Sequence, residues 1–294
     1  MKKINSKAKN AGSFFLFMGP SLILFTCVLI IPFLYGFYLT FTNYSPVSDT
    51  RDFVGFNNFI SVFLDKEFLN QFLKTFKYVI YSTIFSNIIA FFLAALLTSK
   101  IKGKNFLRAG FFTPNLIGGI VLGYIWKFIF SNVITQIGKY FQFQPLMKSM
   151  LTDPDNAILA MIIVTVWQYA GYMMVIYVAG FISIPKAINE AAEVDGATGM
   201  KKLFRITIPL MVPSFIICLF ISLSRCFMVY DFNLALTNGD PYGSTRLASM
   251  HIYHKAFLAG QYGIGQAEAF ILFVVVAIIA VYQVVFMKKF EVEA

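Results

Sequence analysis

Three charged residues fall inside or at the ends of long apolar runs: Lys127, Arg225 and Glu268. A charge within a bilayer is costly unless it faces a partner or an aqueous path. Arg225, in Ser224-Arg225-Cys226, either faces a cavity, where its guanidinium would bind solute hydroxyls or an acidic group, or snorkels outward from about one and a half turns before Asp231. The cavity-facing orientation is the one favoured here. Lys127 follows Trp126 near the outer end of the third run, an aromatic-basic pair that suits an interface anchor. Glu268 is expected to hydrogen-bond within the helix bundle. His251-x-x-His254 has metal-ligand spacing but no third ligand nearby, so no metal site is expected. No Ser/His or His/Glu/Asp cluster recurs at catalytic spacing within the runs, and no Gly-x-x-x-x-Gly-Lys-Ser/Thr phosphate loop is present. The chain is therefore expected to bind and transmit, with any catalysis carried by another subunit.

The elements that must position these residues are membrane helices. Of 294 residues, 58% are hydrophobic, 13% are charged and 35 are Phe, against an apolar share near one half in soluble domains. Six stretches reach the ~20 apolar residues a span needs: 14–41, 77–98, 111–130, 158–182, 210–230 and 265–287. The first is too long for a secretory h-region and ends without a small-x-small cleavage site, so it is expected to remain as an anchor. The net charge of +10 would suggest nucleic acid on a soluble protein, but here it records topology. Fourteen Lys and Arg fall in the termini and the loops 99–110 and 183–209, against eight on the other side, seven in the loops 42–76, 131–157 and 231–264 and Lys77 at the edge of the second run. Both termini are accordingly expected in the cytoplasm.

The outer loops carry finer expectations. The spacing of Phe59, Val62, Phe63, Phe68, Phe72 and Leu73 fits a short amphipathic helix along the outer interface, and equally fits packing on the helix ends. Gly119-x-x-x-Gly123 permits close helix packing. Cys27, Cys218 and Cys226 all lie in apolar runs and read as small core residues.

The loop between the fourth and fifth spans is the most distinctive segment. It runs from Ile184-Pro185 through Glu190-Ala191-Ala192-Glu193-Val194-Asp195-Gly196-Ala197 to Ile206-Thr207-Ile208-Pro209. Pro185 suits a first helical turn, Gly196 permits a sharp change of direction, and Pro209 opens the next span. Small residues at 191, 192, 196 and 197 are expected to leave a low surface for another protein, edged by Glu190, Glu193 and Asp195.

Glu190-Ala191-Ala192, then Gly196, then Ile206-x-Ile208-Pro209 resembles the EAA motif of permease subunits of binding-protein-dependent ABC importers, with Ile208 where Leu is usual. Gly171-Tyr172-Met173-Met174, Ala179-Gly180-Phe181, Leu236-Thr237-Asn238-Gly239-Asp240-Pro241, Phe41-Thr42-Asn43-Tyr44 and Phe53 to Phe59 extend the resemblance to the carbohydrate branch, of the maltose, glycerol-phosphate or multiple-sugar type. The resemblance implies an all-α integral membrane protein with six transmembrane helices in the type I ABC importer permease (MetI-like) fold. It divides the chain into a cytoplasmic segment 1–13, a first helix 14–41, an extracellular loop 42–70, a permease domain 71–287 and a tail 288–294. Glu190, Ala191, Ala192, Asp195, Gly196, Ala197, Ile206 and Pro209 would dock on a cytoplasmic ATPase dimer. This chain would bind no cofactor, since ATP and Mg belong to that ATPase. A second related permease, an extracellular solute-binding protein, membrane lipid and a sugar complete the implied partners, with no nucleic acid among them. Glycerol-phosphate or another small polyol is the alternative solute.

A sugar site needs aromatic faces and hydrogen-bond groups together. By the same resemblance, the helices flanking the loop line the path, which makes Gln168, Tyr169, Tyr172, Ser222, Arg225 and Tyr230 its candidates, with Trp167 and Ser224 beside them. The aromatic members also fit packing or interface roles. An ion-gradient transporter is the alternative from another class. It would need paired intramembrane acids, broken helices or an inverted repeat, and Glu268 alone does not supply these.

Overall fold

A computed structural model describes residues 14, 16–46, 51–99 and 101–292. The N-terminal segment 1–13 with its four lysines, together with Lys100, Asp49 and Glu293, lies outside the described residues. Among the described residues the chain is helical, with a lone β-bridge between Thr42 and Phe53. The helices are α1 (Leu16–Leu39), α2 (Asn57–Leu64), α3 (Lys66–Thr98), α4 (Lys104–Phe112), α5 (Gly119–Tyr140), α6 (Pro154–Ser183), α7 (Lys186–Val194), α8 (Gly199–Leu210), α9 (Val212–Phe227), α10 (Asp231–Leu236), α11 (Ala248–Tyr253) and α12 (Tyr262–Lys288). Five of them, α1, α3, α5, α6 and α12, are long and apolar enough to cross a membrane. The pair α8 and α9, bent by 70°, brings the number to six if counted as one span.

Several boundaries differ from the hydropathy reading for identifiable reasons. The third span is not 111–130. Pro114 stands in a 3-10 turn at Thr113–Leu116 and Gly118 is extended, so the helix restarts at Gly119 and runs to Tyr140. Lys127 consequently lies on the exposed face of the first half of α5 rather than near its outer end. The second span begins at Lys66, which places Phe68, Phe72 and Leu73 on α3. Only Phe59, Val62 and Phe63 belong to the short helix α2. The fifth span bends at Met211 between Pro209 and Pro213, where each ring removes a helical donor and crowds the preceding turn.

The chain forms two compact units, Met1–Asp65 with Ile252–Ile271 and Lys66–His251 with Leu272–Ala294. In the first unit Asn58 donates through Nδ2 to Thr40 O and Thr42 O at 2.8 Å each, tying α2 to carbonyls just past the end of α1. Phe59 packs on Phe41, with ring centroids 5.7 Å apart. Lys255 Nζ reaches Asp65 Oδ2 at 2.9 Å, and Glu268 is fully buried. Most of α1 is exposed apolar surface, including Leu16, Phe17, Ile23 and Val28, as expected of a helix that meets lipid or another subunit.

The second unit is built on α3, α6 and α9. Tyr78 and Thr165 share a 2.5 Å hydrogen bond between α3 and α6. Further along, Tyr177 OH donates to Asn87 Oδ1 at 2.8 Å and Asn87 Nδ2 donates to Ser222 Oγ at 3.0 Å, joining all three helices. Phe91, Tyr177 and Phe215 fill the next layer, with centroids 5.0–5.7 Å apart. Gly171 lets α6 meet α4 backbone to backbone: a Cβ there would lie 1.7 Å from Phe111 O.

Candidate functional site

Where α6, α9 and the break between α4 and α5 converge, a cavity of about 430 Å³ opens. Its lining includes Asn115, Gln168, Tyr169, Ser224, Arg225, Tyr230 and Asp231. Arg225 is positioned from three directions. Its Nη1 donates to Asn115 Oδ1 at 2.8 Å, and its guanidinium carbon stands 5.3 Å from the Tyr169 ring centroid and 4.9 Å from that of Tyr172. Cation–π contacts of this kind contribute about 0.5–2 kcal/mol each. No carboxylate pairs with Arg225 among the described residues. Gln168 Nε2 donates to Ile117 O at 3.3 Å, bracing the same break in the chain from α6.

The far wall is set by small residues. Gly119 and Gly123 let α5 lie against α10, because a Cβ at Gly119 would come 2.8 Å from Asp231 Cβ and one at Gly123 2.6 Å from Phe232 O. The close packing anticipated from Gly119-x-x-x-Gly123 is thus present, and it fixes the exposed Asp231 side chain at the cavity. Ser249 Oγ donates to Val229 O, anchoring the segment between α9 and α10 that carries Tyr230.

Of the residues anticipated for the path, Gln168, Tyr169, Arg225 and Tyr230 line one cavity, and Tyr172 supports Arg225 from behind. Ser222 is not among them. It is fully buried, accepting from Asn87 and donating to Cys218 O at 2.8 Å. Trp167 also points elsewhere, 43% exposed and edge-on to Trp126 at 5.4 Å. Sequence reasoning missed Asn115, which hydropathy places inside a span, and Asp231, which it assigns to a loop. The signals available were Pro114 beside Asn115 and the glycine pair opposite Asp231.

The loop after α6 has a defined geometry. Pro185 leads into α7, which ends in a Schellman closure: Ala197 N donates to Ala192 O at 2.8 Å, with Gly196 at φ +72° between them. This closure explains the spacing of Ala192, Gly196 and Ala197. It also corrects one expectation, because Ala192 (4% exposed) and Ala197 (8%) are turned inward and are not offered to a partner. The outward surface carries Glu190, Ala191, Asp195 and Gly196, with Val194 (88% exposed), Met200 and Phe204 as apolar members that the sequence did not single out. Lys202 Nζ meets Glu193 Oε1 at 3.1 Å and links α8 to α7, a surface pair worth about 0–1 kcal/mol. Ile206 and Pro209 are half-buried on α8, leading to the 70° bend.

Comparison with known proteins adds to this geometry. The chain is 39% identical, over 97% of its length and 97% of the relative's, to the "Probable starch degradation products transport system permease protein AmyD" of Thermoanaerobacterium thermosulfurigenes. It is 32% identical to the "Multiple sugar-binding transport system permease protein MsmF" of Streptococcus mutans, covering 94% of this chain and 95% of that one. Among solved structures, a chain of a bacterial ABC transporter involved in the import of the acidic polysaccharide alginate superposes with a TM-score of 0.84 at 21% identity, covering 98% of this chain and 99% of that one, which establishes the fold. Residues 86–292 match the family described as binding-protein-dependent transport system inner membrane component, and the chain belongs to that family.

Proposed function

We propose that the chain is the membrane-spanning permease subunit of an ATP-driven importer for a sugar or oligosaccharide, forming half of the translocation path. The observation that carries this reading is the convergence of Arg225, Tyr169, Tyr230 and several neutral polar groups on one cavity, next to the helices that flank the α7–α8 loop. The loop is the point of energy coupling. Its exposed acidic and apolar residues fit a cleft on a cytoplasmic ATPase dimer, which holds ATP and Mg, and the rigid Schellman turn passes the ATPase motion into α6 and α9. A second, related permease completes the path, an extracellular binding protein delivers the solute, and both termini face the cytoplasm. Glycerol-phosphate is the weaker solute, since the relatives described above are named for starch products and multiple sugars.

The test is Glu190→Lys in the complete complex reconstituted into vesicles. ATP hydrolysis should continue at a basal rate while uptake and its stimulation of hydrolysis are lost, because the reversed charge lies on the docking face. Normal coupling in that variant would refute the docking assignment.

A further inference from the structure

The cavity carries one cation and one anion, and their arrangement bears on which solutes it admits. Arg225 is held by the neutral amide of Asn115 and by the faces of Tyr169 and Tyr172, not by a carboxylate. Asp231 lines the same cavity, is exposed, and makes no ion pair with Arg225. The remaining polar lining, Asn115, Gln168 and Ser224, is uncharged. Both formal charges therefore remain directed to a solute, and they sum to zero.

We propose that this cavity selects an uncharged, hydroxyl-rich solute over an acidic one, and that Asp231 sets the discrimination; this rests on the reading of the cavity as the sugar path. A neutral polyol uses both charges, because the guanidinium donates to hydroxyl oxygens and the carboxylate accepts from hydroxyl hydrogens. A carboxylate or phosphate entering the same space gains from Arg225 but is opposed by Asp231, which lines the same cavity well within a Debye length. Tyr230, which also lines the cavity, adds an aromatic surface for a sugar ring.

The test is direct binding to the assembled transporter in nanodiscs without the extracellular binding protein, so that only the membrane site discriminates. The probes are maltotetraose and the same tetrasaccharide with one glucose oxidised to glucuronate. The neutral sugar should bind at least about tenfold more tightly than the acidic one, a difference of about 1.4 kcal/mol. Asp231→Asn should narrow or invert the preference between the two sugars, mainly through tighter binding of the glucuronate form. Asp231→Glu should retain the preference, which separates loss of charge from loss of fold. The proposal is overturned if the wild type prefers the acidic sugar, if Asp231→Asn leaves the ratio unchanged, or if neither sugar binds while ATP-dependent uptake by the full complex persists. Failure of that uptake itself would instead remove the importer reading on which the proposal rests.

Discussion

Replacing Gly171 with Ala tests whether the packing of α4 on α6 positions the cavity. The added Cβ would lie 1.7 Å from Phe111 O and 2.4 Å from Phe111 C, both backbone atoms that cannot rotate aside. Contacts under 3.0 Å are essentially never seen for real Cβ atoms, so the helices must part by roughly 1.3 Å. Overpacking of this kind costs about 1–3 kcal/mol. The displacement would also carry the Thr113–Leu116 turn away from α6, loosening the 2.8 Å bond from Arg225 to Asn115 and the 3.3 Å bond from Gln168 to Ile117 O. Gly110→Ala is the matched control, one residue before Phe111 on α4. Nothing lies within 4 Å of its added Cβ, and Ala in a helix interior is favoured over Gly by about 0.5–1 kcal/mol. In thermal denaturation of the nanodisc-embedded complex, Gly171→Ala should lower the midpoint and Gly110→Ala should hold or raise it, with uptake reduced only in the former. Equal stability of the two variants would refute the close approach of α4 to α6.

Further outcomes follow from the same geometry. Gly196→Ala meets no atom within 4 Å but places a side chain at φ +72°, costing about 1–2 kcal/mol locally; the complex should assemble normally, with transport per ATP hydrolysed reduced when both are measured together. Ser222→Ala should cost about 1 kcal/mol in thermal stability and leave solute preference unchanged in competition uptake, because Ser222 is committed to Asn87 and Cys218. Arg225→Ala should change both transport rate and solute preference, since it removes a group that faces the cavity together with two ring contacts; unchanged values in uptake assays would end its assigned role.

Hydropathy identified six apolar runs, because continuous Leu, Ile, Phe and Val survive any choice of neighbours, and the spacing of Glu190-Ala191-Ala192, Gly196 and Pro209 marked the α7–α8 loop. What it misplaced depends on backbone breaks. Residues 111–130 read as one span, yet Pro114 and Gly118 interrupt them, and α5 continues through Ser131, Asn132 and Gln136, which read as a loop. The break brings Asn115 to Arg225, so the error in the span hid a residue of the site. Gln168, Tyr169, Arg225 and Tyr230, singled out by the resemblance and by their polarity within apolar runs, do line one cavity. Ser222 was misassigned because composition does not distinguish a polar group facing a cavity from one satisfied by a neighbouring helix, here through Asn87. The inward turn of Ala192 and Ala197 was hidden for a similar reason: small residues serve a tight closure as readily as a contact surface.

The most direct measurement is uptake of labelled oligosaccharide by vesicles that hold the complete complex and its binding protein, with ATP supplied to the ATPase side and ion gradients set independently. Uptake that requires ATP and persists when ionophores collapse every gradient is the expected result. Uptake driven by an imposed ion gradient without ATP would contradict it.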